Sequence, residues 1–250
     1  MSLDWGEARV FAFVGVGNGG AAKRDGVKIK WYGHACFRLE ADGISVVTDP
    51  YKPEVSGLEP VREPADLVVM SSATDEYHSE ASMIPGTPLC LNALEATGED
   101  AVEVCGVRFE TFRARESVEH KEDPDENAMY RFELGGVSVL HLGDLGNPLT
   151  EEQLARLRGR VDVLLALTGG PPTIELDDLE RAIEDIGPRV VVPMHYKIPR
   201  LRVDGDILPV RAFTSRYPEE EVVYVGASEV EFTPDTLPGR LRVYVLDPAN

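Results

Sequence analysis

The sequence predicts a mixed α/β (α+β) chain in which two β-sheets pack face to face under outer helices, a four-layer αββα sandwich. Two changes of rhythm predict it. Residues 27–141 read as short apolar runs separated by turn residues, the pattern of successive strands. From residue 149 onward, helix-length amphipathic segments alternate with continuous apolar runs, as when helices connect buried strands. No internal repeat or low-complexity tract divides the 250 residues, so 27–250 is read as one domain behind an N-terminal extension, 1–26.

In that extension Val10–Val14 has strand character, and Gly15-Val16-Gly17-Asn18-Gly19-Gly20 has the spacing of a dinucleotide-binding glycine loop. Such a loop needs a helix directly after it, to aim backbone N–H groups at a pyrophosphate. Here the chain passes quickly into the alternating run Val27–Trp31, so the glycines read as a flexible turn. Further strands are expected at Cys36–Glu40, Ile44–Thr48, Leu67–Met70, Leu89–Leu91, Val102–Cys105, Val107–Phe112, Met129–Leu134 and Val137–Leu140. Gly43 and Gly135-Gly136 mark tight hairpins that require positive φ. Thr150 with Gln153 forms a capping box that starts a helix at Glu151. Val161–Leu167 and Val190–Met194 are buried strands by their unbroken apolar character, on either side of a helix over Glu175–Ile186. That helix places Leu176, Leu179, Ala182, Ile183 and Ile186 on one face, and Gly187-Pro188 ends it. A weaker helix over Pro209–Tyr217 precedes strands at Glu221–Val225, Val230–Phe232 and Leu241–Leu246.

Composition narrows the function. A hydrophobic content of 43% and a charged content of 28% are ordinary for a globular protein. No apolar run is long enough to span a bilayer, and acidic Asp4 and Glu7 precede Val10–Val16, where a secretory signal would be basic. The expectation is a cytoplasmic protein with no membrane partner. The net charge of −19 argues against nucleic-acid binding, which is driven by Lys and Arg displacing counterions. Cys36, Cys90 and Cys105 are widely spaced and odd in number, and read as buried free thiols.

Four segments carry a family likeness: Gly33-His34-Ala35-Cys36-Phe37, Thr48-Asp49-Pro50-Tyr51, Leu140-His141-Leu142-Gly143-Asp144-Leu145-Gly146 and Pro193-Met194-His195-Tyr196. In that order the chain resembles the metallo-β-lactamase-fold hydrolases, in the branch that includes ascorbate-phosphate lactonase-like enzymes. The resemblance implies the αββα sandwich of that fold, a small-molecule substrate and a homo-oligomer. It also implies a Thr-His-x-His-x-Asp-His loop after the strand that ends at Met70. Histidines of that loop, a later histidine, a bridging aspartate and a last histidine then hold two metal ions.

Laid on that pattern, Ser72 and Thr74 stand where the first two loop histidines would be. Glu76 replaces the aspartate and Tyr77 the next histidine. Glu116 falls near the third histidine, with His120 close by, whereas Asp144 and His195 match outright. A hydroxyl is a poor zinc ligand, so the first site is expected to be lost. Glu76, Asp144 and His195 are the expected catalytic residues, and with Glu116 they form an oxygen-rich set for one divalent cation. Such a set favours manganese, iron(II) or magnesium over zinc. His34, Asp49, Ser72, Thr74, Tyr77, His78 and His120 are the expected cleft-lining residues. His141 reads as packed structure. Asp49 also reads as a turn cap before Pro50.

Clustered carboxylates cannot all stay ionised uncompensated, so this set holds a cation, shares protons or meets basic side chains. Two functional readings follow. One is a hydrolase of small esters, lactones or phosphorylated compounds that uses metal-activated water. The other is a metal-free, catalytically degenerate relative that binds a ligand or protein partner in the old cleft.

Overall fold

A computed structural model describes residues 26–72, 75–97, 101–116, 126–203 and 205–249. The expected strand at 10–14, the glycine run at 15–20 and the rest of the extension up to residue 25 lie outside the described residues.

The first half of the chain forms β1 (Val27–Gly33), β2 (Cys36–Ala41), β3 (Ile44–Thr48), the short helix α1 (Pro53–Ser56), β4 (Leu67–Met70) and β5 (Leu89–Asn92). It continues through β6 (Val102–Val104), β7 (Val107–Arg115), β8 (Glu126–Leu134) and β9 (Val137–His141). The second half supplies α2 (Glu151–Leu157), β10 (Val163–Leu167), α3 (Leu176–Ile186), β11 (Val190–Met194) and α4 (Arg211–Thr214). It ends with β12 (Val222–Tyr224), β13 (Glu229–Phe232) and β14 (Arg242–Val245).

These strands make a six-stranded sheet, β13-β1-β2-β3-β4-β5, and an eight-stranded sheet, β12-β14-β11-β10-β9-β8-β7-β6. Each sheet joins an antiparallel meander to a parallel segment. Tight turns at Gly43 (φ 77°) and at Gly135 and Gly136 (φ 60° and 77°) close the hairpins β2–β3 and β8–β9. Parallel neighbours need crossovers, and α2 and α3 supply them from β9 to β10 and from β10 to β11.

The two sheets share one buried cluster that runs from Val27 and Trp31 of the first to Phe132, Leu164 and Val192 of the second. A polar bolt crosses between them: His141 Nε2–H donates to the Ala35 carbonyl at 2.9 Å, and His141 Nδ1 accepts from Gly143 N–H at 2.8 Å. His141 is thus a neutral structural imidazole, and burial lowers it to about 3.

Ile44–Thr48, Leu67–Met70 and Val190–Met194 have the ends that their sequence predicts. The capping box is present, with Thr150 Oγ1 accepting from Gln153 N–H at 3.2 Å. One helix is shorter than expected. Pro209–Tyr217 reduces to α4, because Ala212, Phe213, Arg216 and Tyr217 bond three residues back and make isolated turns.

Strand direction positions the site. The C-terminal ends of parallel strands β3, β4, β9, β10 and β11 open onto Asp49, Ser71, Asp144, Gly169 and His195. Crevices at such ends are where ligands bind in α/β sheets.

Candidate metal centre

His34 sits in the turn between β1 and β2 with φ 51°, after Gly33 at φ 105°. Its carbonyl accepts from Trp31 Nε1–H at 3.0 Å and from His195 N–H at 3.1 Å. His195, just past β11, also has positive φ, at 52°. Left-handed backbone at a non-glycine residue persists only where the surroundings over-determine it. The His195–His34 backbone bond does so here, holding the two imidazoles with ring centroids 4.1 Å apart. Gly169 allows this closure, since a Cβ there would stand 2.1 Å from the His195 carbonyl oxygen.

Asp144 is fixed from behind by Asn127, a residue that the sequence reading did not single out. Asn127 Oδ1 accepts from Asp144 N–H at 2.9 Å, while its Nδ2–H donates to the Leu142 carbonyl at 3.0 Å. Gly143 turns the chain at φ 61°, where a Cβ would meet Asn127 Oδ1 at 2.3 Å. The signal for Asn127 is a polar residue opening an otherwise buried strand run, Ala128-Met129-Tyr130.

The loop after β4 is tied down at Ser71, whose N–H and hydroxyl donate to the Asp49 carboxylate at 2.8 and 2.7 Å. Further on, Asp75 builds its own turn. Its Oδ1 accepts from Tyr77 N–H at 2.8 Å, its carbonyl accepts from Ser79 N–H at 2.9 Å, and its Oδ2 pairs with His78 Nδ1. That turn brings residues 75 and 78 to one side and sends residue 76 to the other.

His34, Asp75, Tyr77, His78, Glu116, Asp144 and His195 therefore line one cavity of about 150 Å³. Donor atoms of His34, His78 and His195 lie within 4.8 Å of one another, as do those of Asp75, His78, Glu116 and Asp144. Among the described residues, four buried side-chain atoms have no hydrogen-bond partner: His34 Nδ1, His78 Nε2, Asp144 Oδ1 and His195 Nδ1. All belong to residues of this cavity. His195 Nε2 lies 3.2 Å from Asp144 Oδ1, within ion-pair reach, although that oxygen accepts no hydrogen bond. Buried polar atoms left unpaired are rare and call for a ligand or an ion. Imidazole and carboxylate donors fit a divalent cation.

The electrostatics point the same way. Burial pushes Glu116 up to about 9, and the Asp144 charge adds to that rise. Burial lowers His78, but the charges of Asp144 and Asp75 outweigh it and raise the imidazole to about 10. Burial also raises Asp144, yet the His78 and His195 charges hold it well below the usual carboxylate range. Without a cation, protons on His78 and Glu116 balance the cluster, and a bound metal ion displaces such protons.

Several sequence-based placements need correction. Glu76 does not join the cluster: its side chain is 54% exposed and pairs with Lys52 Nζ at 2.5 Å. A residue-by-residue match to the family loop assigns the acidic position to residue 76, whereas the Asp75 turn presents Asp75 and His78. Asp49 is fully buried with its oxygens turned to Ser71, so it braces the loop and does not line the cavity. Ser72 is buried outside the cavity lining. The set is also richer in nitrogen than expected, since His34 and His78 join His195. Thr74 and His120 lie outside the described residues.

A family profile described as beta-lactamase superfamily domain matches residues 28–195. A UPF0173 protein of Pyrococcus abyssi is 30% identical over 185 residues, which cover 68% of this chain and 83% of that protein. A UPF0173 metal-dependent hydrolase of Methanoculleus marisnigri is 32% identical over 188 residues, with 68% and 81% covered. Among solved structures, a protein of Thermotoga maritima assigned as a Zn-dependent hydrolase of the metallo-β-lactamase superfamily aligns at TM-score 0.68 and 30% identity. The alignment covers 88% of this chain and 98% of that one. The chain belongs to the beta-lactamase superfamily domain family and has the metallo-β-lactamase fold.

Proposed function

We propose that this member of the beta-lactamase superfamily is a metal-dependent hydrolase of small, uncharged esters or lactones. The observation that carries the reading is the set of unpaired buried atoms: every one found among the described residues belongs to the cavity with the imidazoles and carboxylates. His34, His78, Asp144 and His195 would hold a divalent cation, which would supply Lewis acidity toward the substrate carbonyl and the attacking water.

The chain's own residues do the rest. Asn127 and the His34–His195 backbone bond hold Asp144 and the two imidazoles in place before any substrate arrives. Glu116 is only partly buried and lies beside Asp144 at the cavity. It is positioned to take a proton from the attacking water and return it to the leaving alcohol. Pro172, Thr173, Val203 and Ile207 give the cavity a largely apolar stretch of wall. A cavity of about 150 Å³ admits only the reacting end of a small molecule.

Charge favours esters and lactones over phosphorylated compounds. No Lys or Arg is among the described residues lining the cavity, whereas Asp75, Glu116 and Asp144 are. A phosphate dianion there would meet carboxylates without an offsetting guanidinium or ammonium.

The test is hydrolysis of matched panels of small lactones, aryl esters and phosphomonoesters by protein loaded with zinc, manganese or iron(II). Metal-dependent turnover of lactones or esters, lost in Asp144→Asn, is the expected result. Turnover confined to phosphomonoesters would overturn the substrate class. A protein that binds no cation and hydrolyses nothing would instead be the metal-free ligand-binding relative.

A further inference from the structure

We infer that the cavity is built for one cation and not two, held by three imidazoles and one carboxylate: His34, His78, His195 and Asp144. In this site Asp75 is a positioning residue and His34, from the β1–β2 turn, is a ligand. This assignment rests on the metal-dependent reading above and specifies which atoms serve it.

Free donor atoms among the described residues limit the site to one ion. The two clusters, His34–His78–His195 and Asp75–His78–Glu116–Asp144, have His78 in common. His78 cannot serve a separate ion in each, because its Nδ1 is engaged by Asp75 Oδ2 and only Nε2 is free. Asp75 faces His78 as an orienting partner: Oδ1 takes the Tyr77 N–H and Oδ2 takes His78 Nδ1. A carboxylate that grips the far nitrogen of an imidazole orients that imidazole toward a metal and fixes its tautomer, without being a ligand itself. With Asp75 turned to His78, Glu116 and Asp144 are the oxygen donors that the second cluster keeps of its own among the described residues. That is too few for an independent closed site beside the first.

His34 enters on different grounds. The residue is 1% exposed, its Nδ1 has no hydrogen-bond partner, and its ring centroid lies 4.7 Å from that of His78 and 4.1 Å from that of His195. An imidazole serving packing alone would pair both ring nitrogens, as the buried His141 does. Three imidazoles with one carboxylate suit zinc, iron(II), cobalt or nickel and leave magnesium and calcium poorly served.

The test is titration of metal-stripped full-length protein with cobalt(II), followed by visible absorption and by metal analysis after dialysis. Wild type should bind one equivalent, and excess magnesium should not compete. His34→Gln should lose more affinity than Asp75→Asn, for which a tenfold to hundredfold loss, about the usual range for an orienting carboxylate, is expected. Glu116→Gln should still bind one equivalent. Circular dichroism of each metal-free variant checks folding, and X-ray absorption of cobalt-loaded wild type counts imidazoles without any substitution. Two equivalents, an unaffected His34→Gln, or fewer than three imidazoles would overturn the assignment. One cobalt with three imidazoles in a protein that hydrolyses no ester or lactone would leave the site standing and remove the hydrolase reading. Full metal-dependent turnover in His34→Gln would do the reverse.

Discussion

Asp144 and His195 reach the cavity from strand ends, and His78 reaches it from a loop. The two arms are held by different physics. β9 and β11 lie in a parallel ladder with β10 between them, so their C-terminal residues are set by sheet register to within one residue. A one-residue slip there would turn every buried side chain to the wrong face. Among its described residues the loop arm has no strand ladder between Met70 and His78. Its geometry comes from the Asp49–Ser71 anchor and from the hydrogen bonds of Asp75 to Tyr77, His78 and Ser79. Such a turn can exchange donors between neighbouring positions while the strand arm stays unchanged.

Breaking the loop anchor should have the largest effect on the fold. Asp49→Ala leaves the Ser71 N–H and hydroxyl buried without an acceptor, at about 1–3 kcal/mol for each unsatisfied group. Urea unfolding should show that loss, with weaker metal binding as a consequence. Asp144→Asn attacks the strand arm directly. It should reduce metal affinity by more than about a hundredfold, beyond what loss of an orienting residue costs, as read by competition with a chromophoric chelator. Gly169→Ala probes the same arm more gently. Its Cβ must move the His195 carbonyl, which stands 2.1 Å from that position, and overpacking of this kind costs about 1–3 kcal/mol. A shifted urea midpoint together with weakened metal binding is expected; a shifted midpoint alone would mean that the two turns are not coupled.

The smallest effect lies away from both arms. Glu110 accepts from Arg131 at 2.8 Å and from Arg160 at 2.6 Å. Burial pushes its carboxyl up, but the hydrogen bond and charge of Arg160, with Arg131, hold it below the ordinary 4.5. A depressed carboxylate stabilises the fold fully above its unfolded value, and the contribution disappears as pH falls through the folded value. Wild type should therefore exceed Glu110→Gln in urea midpoint at pH 7, and the gap should narrow below pH 4.5. Metal affinity at pH 7 should be equal in the two.

The same contrast explains what the sequence made legible. A strand such as Val190–Met194 was readable because burial on both faces leaves an uninterrupted apolar run. Asp144 was legible through the resemblance, because its Gly-Asp segment after an apolar strand matches the family's pattern. Glu76 was misplaced because a motif match keeps residue count fixed, and nothing in composition signals that Asp75 will close a turn around His78. Asn127 left only the signal of a polar residue before a buried run, which does not reveal its role. It acts by accepting one backbone N–H from residue 144, a contact that only the folded sheet creates.

On this reading position 78, and not position 76, provides the loop's contribution to the proposed metal centre. Equilibrium dialysis of His78→Ala and Glu76→Gln against zinc, side by side with wild type, tests it most directly. Zinc lost from His78→Ala and retained in full by Glu76→Gln is the predicted result. Retention in His78→Ala with loss in Glu76→Gln would contradict it.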